Sequence, residues 1–92
     1  MNSIAPRFIV KQNDTVLNVY HADKGEGLPK HDHIYSHLIT CHAGAIQVSN
    51  ERRVLAMTKD TQPVNLAANE WHEIEAIENE TVFLTMFAEH KL

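Results

Sequence analysis

The chain has 92 residues, with twelve Asp and Glu against eight Lys and Arg, and a formal net charge of −4 with histidine neutral. That length suits one domain with a modest core, and the acidic balance excludes the basic face that nucleic acid or an anionic membrane requires. One cysteine, Cys41, excludes an intrachain disulfide, no apolar run approaches the roughly 18 residues of a membrane span, and "MNSIAPRF" has no basic stretch leading into an apolar one, so a reduced, cytoplasmic protein is expected.

Short strands cut by turns follow along the chain, in a single domain over 1–92 with its core within about 7–89. A strand is expected over 7–11, then the turn "QND", then a strand over 15–22 with Val16 and Tyr20 on one face and Leu17 and Val19 on the other. "DKGEGLP", 23–29, reads as a loop. Strands over 37–42 and 45–49 flank Gly44 as a hairpin corner, and "NER" turns into a strand over 53–57. Two more, 63–67 and 71–77, flank "ANE", and a turn at 79–80 leads into 81–87. The stretch "LAANEWHEIEAIENE" holds helix-favouring Ala and Glu. Trp71, His72, Ile74 and Ile77 give no continuous 3.6-residue stripe, however, whereas Ile74 and Ala76 alternate with Glu73 and Glu75, so strand is expected there too. Many short strands with regular turns make an all-β fold.

Four of the seven histidines, His31, His33, His37 and His42, fall between Gly25 and Gly44. On a strand, residues two apart share a face. His31 and His33 therefore point together, and His37 joins them if the strand runs through or bends without slipping, while His42 faces away. Histidine is the commonest metal ligand, and three imidazoles converging from one segment need a fourth ligand from elsewhere. His21 precedes a loop and His90 lies near the end of the sequence. His72, at a strand start after a turn, is the best placed.

At this point the segment resembles the cupin family. The first cupin motif, G-x5-H-x-H-x3,4-E-x6-G, is matched in spacing by Gly25, His31, His33, His37 and Gly44, with His37 in the place of the glutamate. Of the second motif, G-x5-P-x-G-x2-H-x3-N, His72 is kept. Ala67 stands at the proline, Ala76 at the asparagine, and Asn69 at the turn glycine, where it tolerates positive φ. The resemblance, over roughly 15–87, implies a small jelly-roll β-barrel with a metal held inside it by His31, His33, His37 and His72. Cupins often dimerise, and the strand over 7–11 is spare for pairing two chains, so a homodimer is expected.

Four neutral imidazoles leave the full +2 charge of an ion uncompensated and suit Fe, Co, Ni, Cu, Zn and, in this family, Mn. Six-coordination leaves two positions for a small oxygen-bearing ligand or substrate; tetrahedral zinc closes the shell and is structural. By parity Ile39 and Cys41 share the His37 face, and Ile74 and Ala76 that of His72. Thr85 is expected to look at the metal and Tyr35 to sit at the rim. These make Tyr35, Ile39, Cys41 and Thr85 the candidate substrate contacts, with Cys41 a small core residue rather than a nucleophile, because nothing basic stands by it. Trp71 reads as a packing or dimer-contact residue. Glu73, Glu75 and Asp32 face outward and Glu70 alone lies near the mouth, so no catalytic acid or base is assigned. The expected function is a metalloenzyme of dioxygenase, isomerase or lyase type; the alternatives are a metal-dependent sensing module and a barrel with a purely structural metal.

Overall fold

Period-two alternation of apolar and polar side chains becomes strand throughout the computed structural model, which describes residues 1–88. His90 and Glu89 lie outside the described residues. The strands are β1 (Asn2–Ser3), β2 (Phe8–Gln12), β3 (Thr15–Ala22), β4 (Glu26–His31), β5 (His37–Ala43), β6 (Ile46–Asn50), β7 (Val54–Met57), β8 (Val64–Leu66), β9 (His72–Ala76) and β10 (Thr81–Ala88). They form two five-stranded sheets, β1-β4-β9-β6-β7 and β2-β3-β10-β5-β8. The expected jelly roll is present, its two sheets stacked face to face rather than closed into a barrel by continuous hydrogen bonding. There is no helix among the described residues, and His72, Ile74 and Ala76 are the buried positions of β9.

Inward residues of both sheets make one core. Tyr20 of β3, Ile39 and Cys41 of β5, Ile46 and Val48 of β6, Ile74 and Ala76 of β9, and Phe83 of β10 pack together with Met57 and Leu66. The Tyr20 and Phe83 rings stack at 4.8 Å. The Gly44 corner joins β5 to β6 with φ of +70°, and a Cβ there would run into the Thr81 hydroxyl.

The stretch 23–29 departs from its reading as a loop, because β4 begins at Glu26. Gly27 is there for close approach, not for a turn: a Cβ on it would overlap the main-chain carbonyl of Ile74 on β9. Pro29, which has no N–H to give a ladder, lies where the β4–β9 register shifts between Leu28 and His31. Strand β2 pairs with β3 of the same chain, and its other edge is free within the sheet.

Candidate metal centre

The histidines meet where the chain crosses between sheets. His31 ends β4 and is paired across the ladder with His72, the first residue of β9. His37 opens β5 in the opposite sheet, beside Leu66 of β8. His33 lies between, in the non-strand segment 32–36. The three clustered histidines thus converge across a crossover and not along one continuous strand, because β4 and β5 belong to different sheets. Asn69 takes the left-handed conformation, with φ of 61°, and its N–H donates to the His33 carbonyl at 2.6 Å. The turn before β9 therefore ties down the loop that carries His33.

Ring centroids are 4.4 Å apart for His31 and His72, 4.8 Å for His31 and His33, 5.1 Å for His33 and His37, and 4.8 Å for His37 and His72. Among the described residues, the group whose ligand atoms all lie within 4.8 Å of one another is His31, His33 and His72. His37 packs beside that group without completing it. His42 is exposed on β5 and His21 on β3.

Two main-chain carbonyls set the ring orientations. His31 Nδ1 donates to Pro29 O at 2.6 Å and His72 Nδ1 to Glu70 O at 3.3 Å. Each bond fixes the tautomer and leaves Nε2 with its lone pair. His72 Nε2 is buried without a hydrogen-bond partner, as is His37 Nδ1. Buried polar atoms are nearly always satisfied, so an orphaned imidazole nitrogen beside two further imidazoles fits a cation. Burial, reinforced by the neighbouring rings, lowers His37 and His72 to about 4 and pushes His33 down as well. All three are neutral at pH 7, the form that binds metal.

A cavity of about 370 Å³ opens onto His31, His33 and His37. Tyr35 and Thr85 line it. The Tyr35 ring stacks on His33 at 5.0 Å and on Phe87 at 4.6 Å. Thr85 Oγ1 accepts a hydrogen bond from Asn18 Nδ2 at 3.4 Å. Ile39 and Cys41 belong instead to the apolar cluster. The Cys41 thiol donates to Ala43 O at 3.3 Å and burial raises its pKa. Glu70 contributes its carbonyl to His72, and Trp71 carries the Lys30 ammonium 4.5 Å above its ring.

Sequence reasoning passed over Asn18, Tyr20 and Lys30, which also line the cavity. The signal for the first two was the inward parity of Val16 and Tyr20, which Asn18 shares. The ring-orienting role falls to main-chain carbonyls that no side-chain pattern displays.

No family model matches the sequence, and no curated protein matches it. Solved structures match closely in shape. A cupin-2 domain protein from Shewanella frigidimarina superposes with a TM-score of 0.77 at 13% identity, over 97% of this chain and 84% of the other. KdgF from a Halomonas species gives 0.79 at 19%, over 91% and 79%. A Klebsiella pneumoniae protein with a double-stranded β-helix domain gives 0.74 at 20%, over 91% and 76%. The fold is that of the cupins.

Proposed function

We propose that this chain is a metal-dependent cupin in which His31, His33 and His72, with His37 as fourth ligand, hold a divalent transition metal that serves a small oxygen-bearing substrate. The observation that carries the reading is His72 Nε2, buried and unpartnered, with its ring locked from behind by Glu70 O. When bound, such an ion supplies Lewis-acid or redox chemistry of the dioxygenase, isomerase or lyase type. The protein's own part is to keep the imidazoles neutral by burial, to fix them through Pro29 O and Glu70 O, and to position a ligand against Tyr35 and Thr85. The cavity beside the histidines supports an open centre over a closed structural one.

The test is elemental analysis of purified protein. Wild type should carry close to one ion per chain, and His33→Ala or His72→Ala should strip it, while His42→Ala should not. Full metal in His72→Ala protein would refute the assignment. A second reading, a ligand-binding module without turnover, is favoured by one feature: among the described residues no carboxylate lines the cavity to serve as acid or base. The free edge of β2, with Phe8, Ile9 and Val10 each at least half exposed, supports a homodimer, which sedimentation would read. The lone Cys41 supports a cytoplasmic setting.

A further inference from the structure

We infer that a second copy of this chain docks on the outer face of the β2-β3-β10-β5-β8 sheet, the two sheets packing face to face about a two-fold axis. The inference rests on the homodimer reading and names the surface that carries it, which is the broad face of the sheet and not the free edge of β2 alone.

Register builds the surface. Phe8 is paired with Val19 and Val19 with Leu84, so one apolar row crosses three strands. Two residues along, Val10 is paired with Leu17, Leu17 with Met86 and Met86 with Leu38, which makes a second row over four strands. Both rows point away from the core, because Tyr20, Ile39 and Phe83 take the inward positions of the same strands. Phe8, Val10, Met86 and Leu38 are 56%, 50%, 40% and 37% exposed. Charged residues make up 22% of the chain, yet the outward positions of β2, β3, β10 and β5 hold no Asp, Glu, Lys or Arg among the described residues. The opposite sheet differs: Glu73 and Glu75 face outward from β9, its central strand. A contiguous apolar patch kept clear of charge marks a contact surface.

The absence of charge also selects the occupant. A partner recognised by its charge finds nothing here to pair with, and an anionic bilayer would want lysine or arginine. A copy of the same face brings no charge to be left unpaired. The face is also self-complementary. A two-fold axis running across the strands, between the two rows, lays each row on the other row of the second copy. Phe8 of one copy then stands over the shallow hollow that Val10, Leu17 and Met86 border in the other. Four strands spaced about 4.8 Å apart and some six residues long give roughly 20 by 20 Å, or ~400 Å² per copy in projection. Two copies cover about 800 Å² before side-chain relief is added, the weak end of specific interfaces, so the dimer should dissociate at about micromolar concentration.

The experiment is sedimentation equilibrium of the purified protein across the micromolar range. Wild type should pass from monomer to dimer as its concentration rises. Met86→Lys should weaken association about ten-fold or more, because the dimer would then bury an unpaired ammonium, and Leu38→Lys should do the same. Gln47→Lys, an equal change of charge at an exposed position on the outer face of the opposite sheet, should leave association as it is. Circular dichroism of all three variants should match wild type. Met86 lies on β10, with β3 between it and β2, so pairing of two chains edge to edge along β2 does not touch it. Association of Met86→Lys and Leu38→Lys as tight as that of wild type would overturn the assignment of the face and leave the homodimer reading to the β2 edge. Equal weakening by Gln47→Lys would overturn it too, as an effect of charge anywhere on the chain. Wild-type protein that stays monomeric throughout would overturn both the face and the homodimer.

Discussion

Acidifying the metal-free protein sets the histidine cluster against the fold. His37 and His72 stand 4.8 Å apart between ring centroids, and both are held at about 4 instead of 6.5, first by burial and then by the neighbouring rings. Between pH 6.5 and 4 the unfolded chain therefore binds more protons than the folded one, and the free energy of unfolding falls as the pH falls. At ~1.4 kcal/mol per unit, one such ring is worth about 3 kcal/mol when the whole window is crossed. The second ring adds less, because part of the His37 displacement is repulsion from His72 itself. Against a total stability of about 5–15 kcal/mol for a small domain, that is a large share. The assay is urea unfolding in chelator at pH 7.5, 6.0 and 4.5, read by the fluorescence of Trp71, the single tryptophan. Wild type should lose about 2 kcal/mol more than His72→Gln between the highest and lowest pH, since every other acidic and basic group is common to both proteins. Superimposable pH profiles for the two proteins would refute the argument.

Gly27→Ala should cost about 2–3 kcal/mol in urea unfolding and lower bound zinc, because the new Cβ meets the Ile74 carbonyl and parts the strands that set His31 against His72; unchanged stability and zinc content would show that β4 and β9 separate at no cost. Zinc should raise the melting temperature at pH 7.5 and not at pH 4.5, where protons displace it from imidazole; an equal rise at both would exclude histidine ligation. His37→Glu should keep the fold and the ion while shifting the visible spectrum of the cobalt-substituted protein, since a carboxylate replaces a neutral nitrogen; an unaltered spectrum would remove His37 from the ligand set.

Much of the fold was legible because alternation is a local signal. Ile74 and Ala76 against Glu73 and Glu75 outweighed the helix propensity of the same stretch, and Ile39 and Cys41 marked the buried side of β5. β4 was not legible. "EGLPKH" contains a glycine and a proline, the usual marks of a loop, but Gly27 answers to a carbonyl on β9, which is distant in sequence. Parity names the face a residue takes, not how far along the strand a cavity reaches. Thr85, His37 and Asn18 lie where the space is open, whereas Ile39 and Cys41, on the same inner side, lie where Phe83 and Ile46 have filled it.

The histidine spacing carried the site for a similar reason: it fixed which rings the crossover collects without fixing what orients them. His31 and His72 are each bonded through Nδ1 to the carbonyl two residues earlier, Pro29 O and Glu70 O. These two histidines face each other across the β4–β9 ladder, so one local geometry is used twice on opposing strands. A main-chain carbonyl is a neutral acceptor. Had carboxylates held these rings, each would have placed a negative charge one bond behind the ligand and raised the affinity of the imidazole for a proton. The Glu70 carbonyl also favours the protonated His72 ring, but less than burial and the neighbouring His31 disfavour it, so His72 is held at about 4. Carbonyl support leaves any cation there with no compensating charge from the ligands or from the groups that hold them. The same choice, neutral at both layers, would leave the charge of a bound cation to be met by whatever ligand enters the cavity.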